Sequence, residues 1–150
     1  MKKSLLSLFS LMLVIPAVFI LAACGGGAKL VDAAFSAMDV ELKSLSEVTG
    51  TTQEVTVDGG GDTPAEGMWN ARQFVFKNNT IRDAAQEAYE AYLLTEGFTA
   101  LDEPQLITVF GEVEYEVQFR KIDDTTTAWV SFGTFLDKEL FIALIVNPNE

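Results

Sequence analysis

There is no histidine in this chain of 150 residues, and its one cysteine is Cys24. The first absence excludes Ser-His-Asp and Cys-His catalysis and histidine ligation of metals. The second excludes a disulfide within the chain and leaves a thiol without the imidazole that usually activates it. Basic residues are scarce too, 10 Lys and Arg against 22 Asp and Glu, for a net charge of -12. So acidic a surface repels nucleic-acid phosphates and anionic headgroups, and no nucleic-acid partner is expected. A cationic peptide, a polyamine or a divalent cation would be attracted; plain solubility is the competing explanation. Neither G-x-x-x-x-G-K-[ST] nor G-x-G-x-x-G occurs, and no cofactor is expected. A carboxylate pair could support glycosidase chemistry. Among 22 acidic residues, however, chance pairs are certain, and a carboxylate-dependent hydrolase is the least supported reading.

What is present begins with a leader. Lys2 and Lys3 precede an apolar run over residues 5–23, interrupted by Ser7, Ser10 and Pro16 and ending in Ala22 and Ala23. That is the layout of an export signal. A transmembrane anchor is the alternative. Pro16 near the middle of the run and the absence of a following positive cluster argue against it. Leu21-Ala22-Ala23-Cys24 resembles the lipobox of bacterial lipoproteins, a Leu-small-small-Cys motif closing the apolar run. The resemblance covers the leader and the cut site only. It implies that the Cys24 thiol takes a diacylglycerol, with Leu21, Ala22 and Ala23 recognised by the lipoprotein signal peptidase that cuts before Cys24. Each buried methylene contributes about 0.8 kcal/mol, and two acyl chains suffice for stable anchoring.

The expected organisation is therefore a cleaved signal peptide over residues 1–23, a lipidated cysteine with a glycine tether over 24–27, and one domain over 28–150. Lys2 and Lys3 are the only charges before Cys24, so the 127 residues from Cys24 onward carry a net charge of -14. Gly25, Gly26 and Gly27 form a flexible tether. Four steps from Cys24 to Ala28 reach at most about 14 Å.

Residues 28–48 read as an amphipathic helix, with Val31, Ala34, Phe35, Met38, Leu42 and Leu45 on one stripe. Gly50 is its expected stop. Residues 51–56 read as a short strand, and residues 58–67, with four glycines and a proline, as a loop. Residues 69–77 read as extended, with Phe74 and Phe76 on one face. A second helix is expected from Thr80, capped by Thr80 with Asp83. Its apolar face would carry Ile81, Ala84, Ala85, Ala88, Tyr92 and Leu93, and Gly97 and Phe98 would close it in a Schellman turn. Beyond it, residues 106–110, 113–119, 128–135 and 140–146 read as strands, with Gly111 a bulge or tight turn and turns at 123–125 and 137–139. The connections are too short for parallel crossovers. The expected fold class is α+β, two helices packed on an antiparallel meander sheet of four to six strands.

Two candidate sites emerge besides Cys24. Asp58, Asp62 and Glu66 recur every fourth residue and invite a calcium reading. Their spacing does not match the alternating carboxylates of a calcium loop, so no metal is expected. If Val130 and Phe132 face the core with Val117 and Phe119, Trp129 lies on the side of Glu114, Glu116 and Gln118. With Tyr115, that face would grip a cationic ligand or a sugar ring; the competing reading has the first helix covering Trp129. The expected role is a non-enzymatic envelope module with the membrane as partner through Cys24 and an envelope protein as second partner. A small cationic or amphipathic ligand is the alternative.

Overall fold

The computed structural model describes residues 30–103, 115–134 and 138–150. The leader, the Leu21–Cys24 motif, the glycine tether, the strand expected over 106–110, Gly111, Val113, Glu114, Phe135 and Asp137 lie outside the described residues.

The chain opens with β1 (Phe35–Ala37) and β2 (Val40–Leu42), followed by α1 (Leu45–Thr49), β3 (Glu54–Asp62), β4 (Met68–Val75) and α2 (Asn79–Thr95). It closes with β5 (Thr99–Ala100), β6 (Tyr115–Ile122), β7 (Thr126–Gly133) and β8 (Glu139–Pro148). β1 and β2 form a two-stranded sheet, and the rest form a six-stranded sheet in the order β3-β4-β8-β7-β6-β5, every pairing antiparallel. The class is α+β, as expected. The plain meander is not: β5 to β8 run in sequence, but β8 inserts between β7 and β4. α2 carries the chain from β4 to the far edge. That places β8 near the centre of the sheet and explains why residues 140–146 are apolar at every position: all are buried.

Of the helix expected over residues 28–48, the described part from residue 30 is helical only from Leu45, in α1. A two-residue turn at Met38 and Asp39, with Met38 at φ 52°, folds β1 back on β2, pairing Phe35 with Leu42 and Ala37 with Val40. Phe35, Ala37 and Leu42 are buried by strand alternation, while Val31 and Met38, placed on the helical stripe, are 69% and 40% exposed. The overlooked local signal is Ser44-Leu45-Ser46-Glu47. Ser44 Oγ accepts from Glu47 N at 3.2 Å and Ser44 N donates to Glu47 Oε2 at 2.9 Å, a capping box that starts α1. Gly50, at φ 72°, ends it where a stop was expected.

The loop expected over 58–67 is also corrected. β3 continues through Gly59, Gly60 and Gly61, which pair with Ala71, Asn70 and Trp69. A Cβ on Gly60 would stand 2.9 Å from the Trp69 carbonyl oxygen, and one on Gly61 3.2 Å from Trp69 Nε1. These two glycines serve close approach rather than a turn. The turn is confined to residues 63–67. Thr63 N donates to Gly67 O at 2.9 Å, Gly67 N to Thr63 Oγ1 at 2.9 Å, and Thr63 Oγ1 to Asn147 Oδ1 at 2.7 Å.

α2 starts at Asn78, not Thr80: Asn78 Oδ1 accepts from Ile81 N at 3.0 Å. Its core stripe is Ala85, Tyr89 and Leu93; Ile81 and Ala84 face outward. The Schellman end is as expected, with Gly97 at φ 87°, Phe98 N donating to Leu93 O at 3.0 Å and Gly97 N to Leu94 O at 3.2 Å.

The β1-β2 hairpin, α1 and α2 all pack on one face of the large sheet, over Phe74, Val130, Phe132, Leu140, Ile142 and Leu144. Tyr89 is at the centre of this core. Its ring meets Phe35, Tyr92 and Phe132 edge-on, with centroids 6.0, 5.4 and 6.1 Å apart. Its hydroxyl donates to Lys43 O at 2.7 Å, tying α2 to the chain between β2 and α1. Arg72 does the same for the first described residues. Its guanidinium lies 4.6 Å from the Phe35 ring centroid and donates to Ala33 O at 2.6 Å and Ala34 O at 3.3 Å. Its Nε sits 3.1 Å from Asp58 Oδ1, an ion pair whose N–H is not aimed for a hydrogen bond.

Candidate functional site

The sequence-predicted face is half visible. Phe119 pairs with Val130 and Val117 with Phe132, all on the core side as expected. On the opposite face Gln118 pairs with Ser131, Nε2 to Oγ at 3.2 Å, both buried. Trp129 lies on that same face, half-buried, in register with Arg120 on one side and Ile145 on the other. Of the expected companions, Tyr115 pairs in backbone register with Gly133, Tyr115 and Glu116 are described as strand backbone only, and Glu114 lies outside the described residues. The helix expected to cover Trp129 is absent there, because both helices pack on the other face.

The calcium candidates do not converge. Asp58 is held by Arg72, Asp62 ends β3, and Glu66 sits in the turn at φ 59°. Among the described residues, no three acidic or thiol side chains are grouped as metal ligands.

A recess that the sequence did not announce lies where β2, the end of α2 and the β6–β7 turn meet. Its volume is about 170 Å³. Val40, Leu42, Phe98 and Ala128 supply apolar walls, and Asp39, Glu41, Glu96, Lys121 and Asp123 supply charge. Three local structures build it. The Met38–Asp39 turn brings Asp39 and Glu41 to one side. The left-handed Gly97 turns the chain so that Phe98 is buried behind Glu96. Lys121 Nζ donates to Glu96 O at 2.8 Å and stands 5.8 Å from the Phe98 ring centroid.

Asp123 is committed elsewhere. Its Oδ1 accepts from Thr125 N at 2.8 Å and Thr126 N at 2.7 Å, and its Oδ2 from Thr126 Oγ1 at 3.2 Å. The backbone N–H donors of Thr125 and Thr126 hold its carboxyl below the ordinary carboxylate range. That leaves Asp39, Glu41 and Glu96 as the other acidic residues of the lining, with Lys121 its one basic residue. Such a recess favours an ammonium or guanidinium group over an anion. Its charged residues come from stretches more than twenty residues apart, and Asp39 and Glu41 read as the polar side of a helix. No short-range spacing could have found it.

Comparison with protein-family models, with curated proteins and with solved structures gives no match for the chain.

Proposed function

We propose that this protein is an exported bacterial lipoprotein, anchored through a lipidated Cys24, that works without catalysis as a protein-interaction or accessory module close to the membrane. The observation that carries this reading is the leader: two lysines, an apolar run and Leu21-Ala22-Ala23-Cys24 at its end. The fold adds a length scale. Arg72 holds the chain at Ala33 and Ala34, and the nine steps from Cys24 to Ala33 reach at most about 32 Å. This replaces the shorter span expected when a helix was placed from Ala28. A domain on that leash stays within a small protein's diameter of the headgroups.

Cys24→Ala tests the anchor. The substitution should abolish incorporation of labelled fatty acid and leave the precursor uncut before residue 24. Normal processing with membrane retention would refute the anchor. The interaction role is tested by recovery of partners from native membranes with the Cys24-anchored protein, compared with a form starting at Gly25. No partner with either form would refute it.

The acidic recess supports a second reading, capture of a small cationic or amphipathic ligand. Titration with spermidine should then show saturable binding that Asp39→Asn with Glu41→Gln weakens. Binding unaffected by that double change would refute a role for the recess.

A further inference from the structure

Among the described residues, the two edges of the large sheet are unequal. One is β5, two residues long, too short to template another strand. The other is β3, nine residues from Glu54 to Asp62, paired on one side with β4 and, among the described residues, with no strand on the other. Alternate N–H and C=O groups along an antiparallel edge point away from the partner strand and are open to pairing. Exposed edges are usually guarded by proline, by a bulge or by charge, lysine above all. β3 contains neither lysine nor proline; its guards are one irregularity between Val55 and Val57 and the charges of Glu54, Asp58 and Asp62.

The placement of those carboxylates is informative. The register slips between Val55 and Val57, so Glu54 pairs with Val75 while Asp58, Gly60 and Asp62 pair with Arg72, Asn70 and Met68. The irregularity sends Glu54 to one face of the sheet and the two aspartates to the other. The Asp58 side chain is held by Arg72, whereas the side chains of Glu54 and Asp62 make no hydrogen bond or ion pair among the described residues. Between Asp58 and Asp62 the strand is three glycines, with Gly60 exposed. A bulky side chain on an added strand could cover that position.

A second copy of this chain is a poor occupant. Antiparallel self-pairing centred on Gly60 would set Asp58 of each chain opposite Asp62 of the other, and like charges directly opposite are destabilising.

We propose that β3 is a docking edge for an extended segment of another protein, which adds as a seventh strand and places lysine or arginine opposite Asp62 and Glu54. The inference rests on the protein-interaction reading and names the surface and the partner chemistry for it. Main-chain hydrogen bonds supply the affinity and the two carboxylates the selection.

The test uses the full chain in neutral detergent and three synthetic peptides of strand length. The first is threonine around a central Tyr, with Lys at the two positions that fall opposite Asp62 and Glu54, one on each face. The second has Glu for each Lys, and the third is the first with alternate amides N-methylated. Fluorescence anisotropy should show binding of the first peptide, with slowed amide exchange in residues 54–62. Both should be lost with the N-methylated peptide. Glu54→Lys with Asp62→Lys, at exposed positions, should weaken the first peptide on the order of tenfold, two cross-strand attractions becoming repulsions, and strengthen the second. Equal binding of the N-methylated peptide, or no change in the double variant, overturns strand addition at β3. Native membranes separate the two ideas. Equal partner recovery by the wild type and the double variant overturns the β3 edge and leaves the interaction reading standing; no recovery by the wild type overturns both.

Discussion

Tyr89→Phe removes one oxygen from the centre of the core and should reverse its sign of effect with pH. The ring is fully buried and its edge-on contacts with Phe35, Tyr92 and Phe132 survive the change. What goes is the 2.7 Å hydrogen bond to Lys43 O. A net hydrogen bond is worth about 1 kcal/mol, and a part-buried carbonyl left without its donor adds up to a further 1 kcal/mol or so. Near neutral pH the variant should therefore be less stable by roughly 1–2 kcal/mol. Burial, reinforced by the neighbouring Tyr92 and Asp32, pushes the Tyr89 hydroxyl far above its ordinary value of 10.0. Because the folded-state value is the higher one, the contribution is whole below the unfolded value and is lost as pH rises above it. Above about pH 10 the wild type should lose about 1.4 kcal/mol per pH unit on account of this group, and the variant should not. The two stability curves should meet near pH ~11. Urea unfolding followed by Trp69 and Trp129 fluorescence between pH 7 and that range measures the difference, in which the other tyrosines and the lysines cancel. A constant gap between the curves, or no gap at neutral pH, would show that Tyr89 is not a sealed hydrogen-bonded core group.

Four further outcomes follow from single residues. Arg72→Met keeps the apolar stem but abandons Asp58 and the carbonyls of Ala33 and Ala34; a loss of about 2–3 kcal/mol is expected, with faster amide exchange in residues 35–37 than in β8. Gly67→Ala should unfold the protein or cost well over 3 kcal/mol, because a Cβ there runs into the Val146 carbonyl and the Asn147 side chain. Gly50→Ala, at φ 72° in open space, should cost only about 1–2 kcal/mol, and thermal melts of the pair separate collision from backbone strain. Asp123→Asn should flatten the acid limb of stability: the Asp123 carboxyl is held below its ordinary value, so its contribution is present at neutral pH and lost as pH falls through the carboxylate range. An unchanged acid limb in urea titrations would remove Asp123 as organiser of the β6–β7 turn.

The parts of the fold legible from residue order are those whose signals act within a few positions. Gly97 followed by Phe98 closes α2 because a left-handed glycine and two short hydrogen bonds suffice. Residues 140–146 read as doubly buried because every position is apolar, and all seven side chains are buried. Strand alternation puts Val130 and Phe132 on one face, and that face is the core. The misreadings have a common physical origin. Residues 28–48 satisfy a helical spacing and a strand alternation at once, and the packing of Phe35 and Leu42 against Tyr89 and β4 favours the hairpin. Glycine-rich residues 58–62 look like a turn until Trp69 is placed beside them. The stripe of α2 turns on Tyr89, whose buried ring and satisfied hydroxyl place it between Ala85 and Leu93 on the core side, a position that apolar spacing alone does not mark.

Composition and order alone determined that the chain has no imidazole chemistry, that Cys24 has no disulfide partner within it, that the charge is strongly negative, and that an apolar run led by two lysines ends at that cysteine. Each is a count or a spacing, complete before any folding. Only tertiary structure decided that β8 enters between β4 and β7, that β3 is the long edge among the described residues, and that Asp39, Glu41, Glu96 and Lys121 share one recess. These depend on which distant residues meet. That is set by the burial of Phe35, Tyr89 and Phe132 in one core, a sum over non-local contacts that no short window of sequence contains.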